Sequence, residues 1–379
     1  MHMEHGNLET YGNLGIIALE SSLELGKKID RHLRLERMNM NMEVPDTYLV
    51  PVQEIRFANG EGKIKLQDSV RGKDIYLLCD IGNYGCTYDL YGYKNRKGPD
   101  EHFQDIKRTL SAIGGKSLRT TVIMPLLYAS RQHRRKGRES LDCAMALREL
   151  EQMGVKDILT FDVHDPNIQN AIPLSSFENL YATYEIVKEF MVDENDLLID
   201  KDNLLVISPD PGAMDRTIYY AGIMDIDVGL FYKRRDYAQV VAGKNPIVQH
   251  EYMGKDVAGK NIVIIDDMIA SGESVLDITV ELKRRNANKI FIATTFAMFT
   301  EGVDKFNHYY EKGYFDRVYS TNLTYVPQQL KNCDWFKEVD LSVYLASIID
   351  NLNYNQSIEP LIDATDNLRD LIRSIRQSR

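Results

Sequence analysis

The chain has 379 residues, of which 44% are hydrophobic and 27% charged, and a formal net charge of -10. This length suits two domains rather than one small core, the composition is that of a folded protein, neither disordered nor membrane-embedded, and the acidic balance argues against a nucleic-acid binder. Cys79, Cys86, Cys143 and Cys333 form no CxxC pair, and no apolar run approaches the roughly 20 residues that span a bilayer, so a cytoplasmic protein without membrane or nucleic-acid partners is expected.

In chain order, the methionine-rich segment Met38 to Pro51 has poor periodicity and is predicted to be a surface insertion or interface element. Apolar runs at Ile75 to Cys79, Thr120 to Tyr128, Asp157 to Phe161, Leu204 to Ser208, Ile262 to Ile265 and Ile290 to Ala297 predict buried parallel strands. Helical spacing marks Glu139 to Met153 and Ser274 to Arg285 between them, so the fold class is α/β with a doubly wound sheet. PLSSFENL, from Pro173 to Leu180, predicts a turn and a capped helix at a domain boundary. The expected division is residues 1–175, 176–345 and a helical extension over 346–379, whose last stretch spaces Leu361, Ala364, Leu368 and Leu371 as a helix that packs on the body or on a neighbour.

The most specific motif is IVIIDDMIASGESV, from Ile262 to Val275. Four apolar residues lead to Asp266 and Asp267 at the carboxyl edge of a parallel sheet, where ligands bind. The loop Ala270, Ser271, Gly272, Glu273 and Ser274 then offers amides and hydroxyls at a helix start, an anion site. Carboxylates beside a phosphate should accept hydrogen bonds from sugar hydroxyls or meet Mg²⁺, so a phosphorylated sugar suits both halves. This stretch resembles the phosphoribosyl-diphosphate-binding motif of the phosphoribosyltransferase superfamily, which includes transferases and ribose-phosphate diphosphokinases. Ala270 departs from the aspartate common there, and Glu273 must point away from the phosphate or toward a cation.

Five further motifs, in order over roughly Leu14 to Asn351, resemble the diphosphokinases and imply two phosphoribosyltransferase-like domains, each a mainly parallel sheet flanked by helices. In the segment Arg56 to Leu78, Phe57, Asn59 and Glu61 match ATP-contacting positions that reach across a subunit interface; an aromatic can stack on a purine while an amide and a carboxylate read its edge. MPLLYASRQHRRKGRES, from Met124 to Ser140, places a basic loop at a strand end where it can grip polyphosphate. By resemblance Arg131 and Gln132 bind ATP, and His133 replaces the usual aspartate. In ILTFDVHDPNIQN, Asp162 and His164 are two residues apart, hence on one side of an extended backbone, and resemble the family's metal-and-nucleotide site. Asp210, in LLVISPDPGAMDR, matches a position near ribose and metal, with Gly212 allowing close approach. Lys233 and Arg235, in LFYKRRDYAQ, match a mobile loop that closes on the transferring phosphates.

The resemblance implies transfer of the β,γ-diphosphate of Mg·ATP to the 1-hydroxyl of ribose 5-phosphate, with Mg²⁺ bound at Asp162, His164 and Asp210, Lys233 and Arg235 catalytic, and a homo-oligomer sharing its ATP site between subunits. Two alternatives stay open: the same transfer to a larger acceptor ending in ribose 5-phosphate, such as ADP-ribose, and a catalytically silent regulatory homologue.

Overall fold

The computed structural model describes residues 9–135, 137–235, 247–363 and 365–377. The chain forms two compact units, the first from Met1–Tyr181, Asn322–Tyr325 and Asp340–Asp363, the second from Ala182–Thr321, Val326–Val339 and Ala364–Arg379. The chain passes to the second unit after Tyr181, returns to the first unit twice, and ends in the second from Ala364.

The first unit contains β1 (Asn13–Ala18), α1 (Leu23–Asn39), β2 (Val52–Arg56), β3 (Gly62–Leu66), β4 (Lys73–Leu78), β5 (Thr87–Leu90), β6 (Tyr93–Arg96), α2 (Pro99–Ile113), β7 (Arg119–Ile123), α3 (Asp142–Gln152), β8 (Asp157–Phe161) and β9 (Ser176–Leu180). Five strands make a parallel sheet in the order β1-β4-β7-β8-β9, and β2-β3 and β5-β6 are separate hairpins. The central strands are mainly apolar because both faces are buried, with Asp74, Thr120, Thr121 and Thr160 as buried polar exceptions. FENL is strand β9 rather than the predicted helix: it pairs in parallel with β8 from Ser176 to Leu180, and so short a segment has too little length to nucleate a helix against that pairing. The segment expected as a surface insertion closes the edge of the sheet in its second half. The Ile16 amide donates to the Tyr48 carbonyl and the Val50 amide to the Ile16 carbonyl, both at 2.8 Å, which occupies polar groups that an open edge strand would offer to another chain.

The second unit contains α4 (Thr183–Asp193), β10 (Leu204–Ser208), α5 (Met214–Met224), β11 (Asp227–Arg235), β12 (Ile247–Met253), β13 (Asn261–Ile269), α6 (Glu273–Arg284), β14 (Ile290–Ala297), α7 (Asp304–Glu311), β15 (Arg317–Thr321), α8 (Gln328–Lys331) and β16 (Phe336–Val339). Its sheet runs β12-β11-β10-β13-β14-β15-β16, parallel except for the edge strand β12. Leu205, Ile207, Ile262, Ile264, Ile290 and Ile292 belong to one buried core with Phe299, Phe306, Phe315 and Trp335. Phe306 stacks on Trp335 with centroids 5.5 Å apart.

The tail forms α9 (Ser342–Asn353), α10 (Glu359–Ile362) and α11 (Thr365–Gln377). α9 is fastened in the first unit by buried charge: Arg37 donates to Asp350 and Asn353 at 2.8 Å each, and Arg119, paired with Asp74, also donates to the Leu352 carbonyl at 2.8 Å. α11 packs on α4 and α5 of the second unit through the buried side chains of Leu368 and Ile372; of the expected spacing, Leu361 belongs to α10, Ala364 lies outside the described residues, and Ile372 rather than Leu371 is buried beside Leu368.

Candidate active site

In the second unit, β13 extends beyond the predicted run and carries Asp266 and Asp267 inside the strand, with Asp266 in register with Thr294 of β14. The apolar stretch up to Ile265 was too short a guide because Met268 and Ile269 continue the buried ladder past the two acids. Ala270, Ser271 and Gly272 make the turn, and α6 starts at Glu273 with Gly272 as its N-cap in a left-handed conformation, φ +79°. A Cβ at Gly272 would lie 2.3 Å from the Phe306 ring, so glycine is required both by the conformation and by the space. The first amides of α6 have no partner within the helix and, with the helix dipole, form an anion cradle. The Thr300 amide holds the turn from behind by donating to the Ala270 carbonyl at 2.9 Å. Ser274 belongs to the first turn of α6 and is half-buried. Glu273 is exposed and turns toward a cation, with Lys305 Nζ 3.7 Å from its carboxylate.

Asp210, after β10, joins the same acidic group. Its side chain caps a short turn by accepting from the Gly212 amide at 2.8 Å and the Ala213 amide at 3.2 Å. Burial, then the charge of Asp267 and, more weakly, that of Asp210 push Asp266 well above the usual carboxylate range. Such crowding suits sugar hydroxyls or a cation, either of which relieves it. Lys233 and Arg235 stand at the end of β11, in register with His250 and Ile247 of β12; their side chains lie outside the described residues.

In the first unit, the loop after β7 turns at Ala129, left-handed with φ +54°, into a short turn over Ser130–Gln132. Arg131 is exposed there and has no partner among the described residues, and Gln132 accepts from the Ser140 hydroxyl at 3.3 Å. The loop after β8 corrects one expectation. Asp162 is left-handed with φ +42°, not extended, and its side chain is buried whereas His164 is exposed. The two therefore do not share an extended face. His133 lies beside His164, with ring centroids 5.4 Å apart. Asp165 follows, and although burial raises its pKa, hydrogen bonds from Asn167 and Arg134 outweigh that and hold it below the usual carboxylate range.

Phe57, Asn59 and Glu61 occupy the tip of the β2-β3 hairpin. Phe57 is 48% exposed rather than a core residue, and Asn59 Nδ2 donates to Glu61 Oε2 at 2.9 Å. Arg56, next to the turn, fastens this end of the hairpin to Asp105 of α2 at 3.1 Å and lies over the Tyr88 ring. Leu90, at the end of β5, is within 3.3 Å of a Cβ built at Gly60. The second hairpin thus braces the first, which the sequence reading missed although the turn signal Leu90-Tyr91-Gly92 was present. It also missed the partners of His133; Asp165-Pro166-Asn167, an Asx-type helix start, was the available signal.

Among the described residues no three His, Cys, Asp or Glu side chains form a ready metal cluster. Within each unit the expected metal donors stand singly, Asp162 and His164 apart in the first and Asp210 in the second, which suits only a cation that keeps most of its shell as water and phosphate oxygen, the habit of Mg²⁺.

Two family models match the chain in succession: the N-terminal domain of ribose phosphate pyrophosphokinase over residues 14–154 and the phosphoribosyl transferase domain over residues 174–324. A ribose-phosphate pyrophosphokinase of Neisseria meningitidis is 24% identical over 94% of this chain and 97% of its own length, and one from Fusobacterium nucleatum is 25% identical over 93% and 99%. Phosphoribosylpyrophosphate synthetase from Mycobacterium smegmatis shares the fold, with a TM-score of 0.72 at 19% identity over 90% of this chain and 99% of that one. With both domain families matched in order and relatives aligned over almost their whole length, the chain belongs to the ribose-phosphate pyrophosphokinase family.

Proposed function

We infer that this protein transfers the β,γ-diphosphate of Mg·ATP to the 1-hydroxyl of ribose 5-phosphate, giving 5-phosphoribosyl 1-diphosphate and AMP. The observation that carries the reading is the cradle in the second unit, where carboxylates fit for ribose hydroxyls lead directly into a Gly272-capped helix start fit for a phosphate. Ala270 to Ser274 hold the 5-phosphate, and Asp210, Asp266 and Asp267 take the hydroxyls. In the first unit Arg131, Gln132 and His164 hold the nucleotide, while Phe57, Asn59 and Glu61, exposed at a hairpin tip, read the adenine of a neighbouring subunit.

The hydroxyl oxygen attacks the β-phosphorus in line, the bond from that phosphorus to the α,β-bridging oxygen breaks, and AMP leaves with no covalent enzyme intermediate. Catalysis of this kind is positioning plus stabilisation of charge on nonbridging oxygens, which accounts for a site with cations and carboxylates but no activated nucleophile. Lys233 and Arg235 neutralise that charge. Mg²⁺, when bound, would shield the phosphate oxygens, with Asp162 and His164 as its candidate ligands on the first unit and Asp210 as a candidate ligand on the second.

Mass analysis of a reaction containing the purified chain, Mg·ATP and ribose 5-phosphate tests the reading, with ADP-ribose as a parallel acceptor. Equimolar AMP and phosphoribosyl diphosphate are expected. AMP release only with the larger acceptor, or with neither, would refute it.

A further inference from the structure

His133 is a member of the arginine-rich loop that the chemistry above leaves unused, yet its ring is half-buried and engaged on both sides. Nδ1 donates to the Ser130 carbonyl at 3.0 Å, and Nε2 stands 3.3 Å from Asp165 Oδ2 on the neighbouring loop. The next residue, Arg134, donates to the same oxygen through Nε at 3.1 Å and Nη2 at 2.7 Å. The other carboxylate oxygen, Oδ1, accepts from the Asn167 amide at 3.0 Å and from Asn167 Nδ2 at 2.9 Å. Asp165 is buried, and both its oxygens are taken by donors from two different strand-end loops of the first unit.

The turn that Asp165 closes needs holding. It begins at Asp162, whose left-handed backbone persists only where its surroundings over-determine it. One end is fixed by the Asp162 amide on the Leu180 carbonyl at 3.0 Å and by the Val163 amide on Asn179 Oδ1 at 3.1 Å. Asp165 fixes the other end, and it does so against the loop that bears Arg131.

We propose that His133, Arg134 and Asp165 form a positioning link that locks the loop bearing Arg131 and Gln132 to the loop bearing Asp162 and His164, so that the two present one surface to the nucleotide polyphosphate. The link rests on the reading of these loops as the Mg·ATP site. It divides the labour within the basic run: Arg134 is spent on a carboxylate of this chain, whereas Arg131 keeps its charge for the ligand. His133 and Arg134 are thus positioning residues rather than phosphate ligands.

The test compares wild type with Asp165→Ala, Arg134→Ala, His133→Ala and the double variant Asp165→Ala/Arg134→Ala. Readouts are the KM for Mg·ATP, the KM for ribose 5-phosphate, kcat, and the calorimetric affinity for the Mg²⁺ complex of a non-hydrolysable ATP analogue. Asp165→Ala should raise the KM for Mg·ATP about tenfold and weaken the analogue in parallel, with the KM for ribose 5-phosphate within about twofold and the double variant no worse than the more severe single. Asp165→Asn, which keeps one acceptor oxygen, should recover part of the loss. Unchanged analogue affinity, equal effects on both KM values, or strict additivity in the double variant would overturn the link. If Asp165→Ala does not fold, His133→Ala is judged by the same criteria. Wild-type protein that binds the analogue but releases no AMP with ribose 5-phosphate would remove the functional reading, and the analogue affinities would still decide on the link.

Discussion

Gly272→Ala places one methyl group at the point where strand β13 hands the chain to helix α6. The new carbon would sit 2.3 Å from Cε2 and Cζ of Phe306 and 3.4 Å from Ile269, and Phe306 cannot swing freely because it lies fully buried against Phe299, Phe315 and Trp335. Left-handed backbone costs a non-glycine residue about 1–2 kcal/mol, and overpacking a close-packed core typically adds about 1–3 kcal/mol. The sum, roughly 2–5 kcal/mol, is a large share of a total stability on the order of 5–15 kcal/mol. For a unit of this size it corresponds to a fall in Tm of roughly 4–20 °C. Relief by backbone movement would shift the first amides of α6, and misplacement on the scale of 1 Å costs on the order of 10²-fold, here in kcat/KM for ribose 5-phosphate. Thermal unfolding and steady-state kinetics with ribose 5-phosphate varied at saturating Mg·ATP measure the two effects. Gly272→Asn separates their causes, because asparagine tolerates the left-handed region but still carries a Cβ: if the collision with Phe306 dominates, it fares as badly as alanine. A Gly272→Ala protein with wild-type Tm and wild-type kcat/KM for ribose 5-phosphate would refute the reasoning.

Phe57→Ala removes an exposed ring, so Tm should hold within about 1–2 °C while the KM for Mg·ATP rises by about tenfold or more, the usual worth of a base stacked on an aromatic; an unchanged KM would remove Phe57 from the nucleotide site. Lys233→Ala should lower kcat on the order of 10²-fold or more, and full turnover would contradict its catalytic role. Asp266→Asn keeps the side chain's size while relieving the crowding with Asp267, so the ligand-free protein should gain about 0.5–2 kcal/mol in stability as ribose 5-phosphate turnover collapses; a lower Tm would show that the carboxylates are not in conflict. Burial pushes Asp80 up to about 7 despite donors from Gly82, Thr324 and Tyr325. Because its native form binds a proton that the unfolded chain has already released, stability falls as pH rises from about 4 to about 7, and Asp80→Asn should flatten that part of the Tm profile relative to wild type.

The sequence carried the α/β class and the order of the motifs because parallel strands buried on both faces leave near-continuous apolar runs, as at Leu204 to Ser208 and Ile290 to Ala297. It could not carry what depends on partners distant along the chain. FENL has the look of a helix start until β8 offers it a ladder, and Tyr48 reads as loop until the edge of β1 claims its carbonyl. In the candidate site, the residue types were legible but their orientation was not. The spacing of Asp162 and His164 implies a shared face only if the backbone is extended, and the left-handed turn at Asp162 separates them. Glu273 looked misplaced beside a phosphate because Lys305, its partner, comes from a helix further along the chain.

Two residues that break local rules stand at the two strand-end regions. Of the non-glycine residues with positive φ, Tyr91, Ala129 and Phe299 lack the short polar side chain that makes such a conformation tolerable for asparagine or aspartate. Ala129 opens the loop bearing Arg131. Phe299 lies behind the phosphate cradle, where its neighbours do two jobs: the Met298 amide donates to the Ile269 carbonyl and the Thr300 amide to the Ala270 carbonyl, both at 2.9 Å, while the Phe299 ring meets Phe306 edge-on at 4.7 Å. The same short segment therefore fixes the backbone of the cradle and the ring that Gly272 must clear. Strain at Phe299 can persist because the aromatic core holds both sides of it. A cradle braced in this way would need little rearrangement to bind a phosphate under the proposed function, and it is rigid positioning, rather than any reactive side chain, that diphosphoryl transfer demands of a protein.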